Sequence, residues 1–396
     1  MNEIAALLVD HVLPPVPVRQ WVLSLPIELR YRISYDARLC SEVLGIFLRV
    51  VATWYRRRAK DLGHPGGKTG SVTVVQRASS DLRLNPHFHV MQLDGAYVEQ
   101  GGDQTPLFIE TPRPSDDDIK RLTETVAERV IRLLVRRGVL DETAGTVDPL
   151  TEEEPVLAGL LQASVLGTSA VGDRVGKRIR RVLGDPASGQ RTGRLCFASR
   201  GFSLHAARRE KAENRERLEE LTRYVLRPPL ANNRLKWLSE DELLLTLKRA
   251  WSDGTRHLIV TPSELLSRLA ALVPPRGFNG IRYHGVLGPR SKLRSRVVPR
   301  PPAVAEPGAD DVDELSVPEP PSTTRPKRIP WAQLLLRVFR VDVEKCECGD
   351  RLRLLAFITD PLEARRYLDH VGLPSATPVI AAARAPPQVE MAFGGG

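Results

Sequence analysis

The chain of 396 residues is predicted to be an α+β protein, on three observations. Ser71 to Arg77 and His87 to Leu93 read as strands, and the second stops at Asp94-Gly95, a turn pair. Apolar residues spaced by threes and fours mark helices on both sides of these strands. A hairpin pattern returns later, at 243–260.

Taken in order, residues 19 to 60 read as helical, through Leu39, Val43, Leu44, Phe47, Leu48 and Val51. The glycines from Gly63 to Gly70 form a loop before the two strands. Ser115 offers a helix N-cap, and Asp116, Asp117 and Asp118 occupy the first turn, where the helix dipole favours carboxylates. Ile119, Leu122, Val126, Val130 and Leu133 make one apolar face, and Arg136, Arg137 and Gly138 close the helix. Residues 139 to 190 read as mixed loop and short helix. A helix over 214–226 shows Leu218, Leu221 and Val225 on one face and stops at Pro228-Pro229. The hairpin runs from Leu243 to Trp251, turns at Ser252 to Thr255 and returns over His257 to Val260, before a helix beginning at Thr261.

This punctuation divides the chain into a helical region at 1–62 and a main domain at 63–298. A linker at 299–330 carries nine of the 32 prolines, a small unit follows at 331–373, and a tail predicted to be disordered closes the chain at 374–396.

Hydrophobic residues are 42% and charged residues 27%, an ordinary globular balance that excludes wholesale disorder. No apolar run is long enough for a membrane span, and the N-terminus lacks the pattern of a secretory signal. Four cysteines, Cys40, Cys196, Cys346 and Cys348, are too few and too unevenly spaced for a disulfide framework, so a reducing cytoplasm is expected. The net charge of +10 is uneven. Val171 to Trp237 holds 17 Arg or Lys against 7 Asp or Glu, and Arg276 to Arg300 holds 7 basic residues and no acidic one. Any single basic run can be a solvated face. Two such runs after the acidic stretch 101–155 point to a phosphate backbone as partner.

The residues with the clearest chemistry are Asn85-Pro86-His87-Phe88-His89. Side chains alternate along a strand, so His87 and His89 share one face and Phe88 points to the other, into a core. Two neutral imidazoles so placed can hold one divalent metal. Tyr224 lies on the 214–226 helix between Arg223 and Arg227. A phenol near guanidinium groups and a metal is a competent nucleophile, and the two arginines suit flanking phosphates. Gln76, at the end of the strand expected to pair with the histidine strand, and His205 are the candidates for a third ligand. Either also reads as an ordinary structural residue. Arg290, Lys292, Arg294 and Arg296 are the candidate DNA contacts of the second basic run.

These segments resemble the rolling-circle transposases of the IS-ninety-one and common-region (ISCR) insertion-sequence type, within the HUH endonuclease superfamily. Besides the histidine strand, the resemblance covers Asp10-His11-Val12-Leu13-Pro14, Arg19-Gln20-Trp21-Val22-Leu23, Gly201 to Ala206, Arg223 to Leu230 and Arg282 to Leu287. It implies a central antiparallel sheet with packed helices. It further implies Tyr224 as the nucleophile that nicks single-stranded DNA and keeps a 5′-phosphotyrosine. The metal, Mg or Mn, would be held by His87, His89 and a third ligand. Implied partners are single-stranded DNA at element ends and target DNA, in a bacterial, nucleoid-associated setting. Relatives often carry a cysteine-rich segment before the Asp-His-Val-Leu-Pro stretch, so a truncated start is expected. Some carry two tyrosines four residues apart, but Glu220 stands four before Tyr224. Cys346-Glu347-Cys348 lacks a second pair, and no zinc is expected there. The alternatives are an inactive DNA-binding remnant of such an element and a plasmid replication initiator or relaxase.

Overall fold

The structure is a computed structural model that describes residues 1–101, 104–139, 148–182, 193–251, 253–299, 328–346, 348–352 and 358–375. Along the chain, α1 (Asn2–His11) leads into β1 (Val18–Ser24), then α2 (Ile27–Tyr35) and α3 (Ala37–Asp61). The expected helix over 19–60 therefore fails at its start. Residues 19–24 are a strand paired on both sides, with Val18, Arg19, Gln20, Trp21 and Leu23 all buried. A central strand covered on both faces loses its in–out alternation and reads as an unbroken run. Pro26 then starts α2, and Asp36 caps α3 by accepting from the Leu39 amide at 2.8 Å.

Next come β2 (Gly70–Ala78), β3 (Leu84–Leu93), β4 (Gly95–Val98), β5 (Leu107–Glu110) and α4 (Asp116–Arg136). Ser115 caps α4 as expected, and Asp118 completes the capping box. Gly95 has no substitute, because any Cβ there would run into the Ile109 carbonyl of β5. Then follow α5 (Pro149–Glu153), α6 (Pro155–Leu166), β6 (Arg180–Val182), β7 (Cys196–Ser199), β8 (Phe202–His205) and β9 (Arg209–Glu210). After these come α7 (Arg215–Leu226), β10 (Leu235–Ser239), β11 (Glu242–Thr246), β12 (His257–Val260), α8 (Pro262–Leu272), β13 (Ile281–Gly285) and α9 (Arg294–Val297). The predicted hairpin is β11–β12, with Leu243 opposite Val260. Its first strand ends at Thr246, and Ser252 of the predicted turn lies outside the described residues.

The main sheet runs β13-β2-β3-β1-β8-β7, with β9 also on β1, and every pairing is antiparallel. Its two faces bury different helices. Trp21, Leu23, Val75, Phe88 and Val90 pack against α2, α3 and α4. Val18, Val72, Met91 and Leu93 pack on the other side with α1 and Leu218 of α7. Phe88 thus enters a core on the face away from the histidines, as strand alternation requires. The smaller sheet, β10-β11-β12-β6, shares a core with Leu82 and Leu84 at the start of β3 and with α6 and α8.

The described residues from Glu3 to Pro299 belong to one compact unit, so the helices before Leu62 share a body with the strands that follow. Those from Arg328 onward belong to a second, which holds α10 (Trp331–Phe339) and α11 (Pro361–His370). Most of the predicted linker, 300–327, and of the predicted tail, 376–396, lies outside the described residues, as does Glu347. Among the described residues no helix is long and apolar enough to cross a membrane.

Candidate active site

Register gathers the predicted residues on one face of the sheet. On β3, His87 and His89 stand with ring centroids 4.9 Å apart. Gln76 of β2 lies directly opposite His87, and Val74 directly opposite His89. Across the sheet, α7 is anchored by Leu218, Leu221 and Val225, each at most 2% exposed. Tyr224 is half-buried at the edge of that stripe and packs in one small cluster with Val74, Leu221 and Val225. The helix therefore holds Tyr224 against the cluster that contains Val74, the cross-strand neighbour of His89. Gln76 ties the two elements by donating its Nε2–H to the Val225 carbonyl of α7.

A hydrogen bond fixes the tautomer of His87, and the partner of His89 allows it the same one. His87 Nδ1 is 2.7 Å from the Asn85 carbonyl, which can only accept, so Nδ1 carries the proton and Nε2 keeps its lone pair. His89 Nδ1 is 2.9 Å from the side-chain amide of Gln20, whose Oε1 is buried with no partner. Turning that amide end for end lets Oε1 accept from Nδ1–H and gives His89 the same tautomer. Burial, with the charges of Arg30 and Lys248, holds His87 below the usual histidine range. Burial, His87 and Arg227 hold His89 well below it. Both rings are therefore neutral near pH 7.

The other candidates divide. Arg227 lies 4.1 Å over the Tyr224 ring. The Arg223 side chain is 18% exposed and faces Glu219 at 3.6 Å, so it braces α7. His205 occupies the same row and face as His89, but Val22 of β1 stands between them. Two strand spacings put its backbone roughly 10 Å away. Among the described residues, no three of His, Cys, Asp or Glu come together as a metal site. Arg290 and Lys292 are exposed after β13. Arg294 bonds the Leu287 carbonyl and lies over Tyr283 at 5.6 Å, and Arg296 bonds the Gln104 carbonyl.

Sequence patterning did not reach Gln20, Arg30, Arg234, Lys248 or Arg249, which come to this site from separate segments. The available signals were the resemblance segment 19–23, which included Gln20, and the basic excess, which included Arg234.

Tyr224, the paired imidazoles and Arg227 thus gather on one face of the main sheet. The family model described as "Putative transposase" matches residues 70–294, more than half of the chain, and the chain belongs to that family. It is also similar to "Putative transposase y4qJ" of Sinorhizobium fredii (strain NBRC 101917 / NGR234), at 26% identity over 314 residues. That match covers 77% of this chain and 65% of the relative, so the chain spans slightly less than two thirds of that protein's length. No solved structure matches the chain.

Proposed function

We propose that this transposase-family chain cuts and rejoins single-stranded DNA, with Tyr224 as nucleophile, as rolling-circle HUH enzymes do. The observation that carries the reading is the placement of Tyr224. It packs against the cluster of Val74, Leu221 and Val225, in which Val74 is the residue opposite His89, and it sits beneath Arg227.

The donor set fits a divalent cation. His87 keeps an Nε2 lone pair, the orphaned Gln20 Oε1 allows His89 the same state, and Gln76 stands beside His87 with its Nε2 already bonded to Val225. His87, His89 and the Gln76 amide oxygen would hold Mg or Mn, and His205 is the reserve third ligand. When bound, such an ion supplies Lewis-acid polarisation of the scissile phosphate and orients it.

The chain's own groups perform the remaining steps. Arg227 and the exposed Arg290 and Lys292 neutralise phosphates along the strand. The Tyr224 phenol loses its proton to solvent, its Oη bonds to phosphorus, and the bond from phosphorus to the 3′ oxygen breaks. The products are a 5′-phosphotyrosine and a 3′-hydroxyl. No nucleotide cofactor is consumed, because the new ester retains the phosphodiester energy. The reaction belongs at the nucleoid of a bacterial cytoplasm.

Tyr224→Phe removes one hydroxyl from a half-buried ring. It is expected to abolish the covalent adduct with an oligonucleotide labelled 3′ of the cut, while binding to single-stranded DNA persists. An adduct that survives, or that maps by mass spectrometry to Tyr97 or Tyr283, would assign the nucleophile elsewhere.

A further inference from the structure

β1 presents different chemistry to the two faces of the main sheet. Trp21 and Leu23 pack on the α3 side. Gln20, Val22 and Ser24 share the face of the histidines, because Val22 stands opposite His89 and Ser24 opposite His87. Gln20 is 0% exposed and stands opposite Met91, and its backbone amide donates to the Arg208 carbonyl at 2.9 Å on the other side. Its side chain reaches diagonally across the strand pair to His89 Nδ1, at 2.9 Å. The other polar atom of the amide is buried and makes no hydrogen bond among the described residues.

A buried amide bonded at one end only is a costly way to fill space. An apolar side chain of similar length would fill the same volume and leave no polar atom idle. What Gln20 adds is a hold on one ring nitrogen. The two histidines differ in this respect. His87 is held by the carbonyl of Asn85 on its own strand, which can only accept. His89 is held by a side chain 69 residues away, and an amide can either accept or donate. With the amide nitrogen toward Nδ1, the neutral His89 ring carries its proton on Nε2, and the pair offers one lone pair and one N–H. With the amide oxygen toward Nδ1, the proton sits on Nδ1 and both rings offer an Nε2 lone pair.

We propose that Gln20 is the positioning residue of His89. Its Oε1 accepts from Nδ1–H, which holds the ring in place and keeps the Nε2 lone pair free for a divalent cation. Gln20 acts through the imidazole, as a partner that fixes the tautomer of a metal-binding histidine. The inference rests on the metal reading of the histidine pair and is independent of which tyrosine is the nucleophile.

NMR of the full chain, isotope-labelled at its histidine nitrogens and free of metal, shows which ring nitrogen carries the proton. The His89 signals are those lost in His89→Ala. Wild-type His89 should carry its proton on Nδ1. Gln20→Glu, whose carboxylate can only accept, should keep that form and bind Mn at least as tightly as wild type in a titration followed by electron paramagnetic resonance. Gln20→Met has a similar volume and no amide. It should let the proton populate Nε2 and should weaken Mn binding about 10–100-fold. A wild-type proton on Nε2 overturns the proposal. A Met variant that loses stability but keeps the wild-type tautomer and Mn affinity makes Gln20 a structural residue and overturns it as well. Should the Met variant fail to fold, weaker Mn binding by Gln20→Glu overturns it in turn. Mn that binds wild type no better than the variant with both His87→Ala and His89→Ala removes the metal reading, and this inference with it.

Discussion

The two faces of the main sheet each bury a polar cluster, and the two are built to opposite rules. On the α3 side, Asp94 accepts from Arg19 at 2.8 and 2.9 Å, from Tyr55 at 2.7 Å and from Arg209 at 2.7 Å. Arg19 donates again to the Ala206 carbonyl, and Trp21 donates to Tyr55 at 3.2 Å. Arg19 and Asp94 are each 1% exposed, and carboxylate and guanidinium are answered by several partners each. On the α7 side, His87 and His89 each have one anchored ring nitrogen, the Gln20 amide is bonded through only one of its two polar atoms, and Arg234 and Arg227 meet backbone carbonyls and the Tyr224 ring. A saturated buried network specifies one fold and offers nothing to a ligand. An unsaturated one sacrifices stability and leaves donors and acceptors for something else to complete.

Three experiments sharpen or break this contrast. The largest effect belongs to the open cluster. His87→Ala with His89→Ala should eliminate metal-dependent cleavage of single-stranded DNA while leaving the unfolding midpoint near wild type. Cleavage by wild type in the presence of EDTA would dismiss the metal role, and a collapsed midpoint in the variant would make the pair structural. The closed cluster should behave in the reverse way. Asp94→Asn leaves the buried Arg19 charge without its counter-ion and should cost about 3–5 kcal/mol of stability, read by denaturant titration. A loss well under 1 kcal/mol would mean that solvent reaches the network. The smallest effect is at the rim. Replacing Arg290 and Lys292 by alanine should flatten the salt dependence of strand binding by about 1.4 in log–log slope, at roughly 0.7 per phosphate contact. An unchanged slope would make these residues a solvated face.

The same contrast explains what the sequence could reveal. The open cluster was legible where its logic is local. The i and i+2 spacing of His87 and His89 set both rings on one face, and the Leu218, Leu221 and Val225 stripe placed Tyr224 at its edge. The caps at Ser115 and Thr261 were legible for the same reason. The closed cluster was not, because Arg19 and Asp94 are 75 residues apart and a buried charge looks like any other charge until its partner is known. β1 was missed because burial on both faces erases alternation. The cationic rim was missed because Arg30, Arg227, Arg234 and Lys248 meet only through the packing of α2, α7 and the smaller sheet against the β2–β3 turn.

The histidine strand also has an interior place in the sheet, with consequences for the DNA chemistry proposed at its face. From His87 to Gln92, β3 is paired with β1 on one side and β2 on the other, so the amides there are expected to exchange with deuterium only when the whole unit opens. The imidazoles are as stationary as the fold itself. α7 is held by side chains, through its apolar stripe, the Gln76 bond and the Arg215 bonds to the Val9, Leu13 and Pro14 carbonyls, and it can shift without breaking a strand ladder. On the proposed tyrosine chemistry, the travelling parts of a strand exchange are the tyrosine helix and the DNA end attached to it, while the histidine pair stays fixed as the reference point for both.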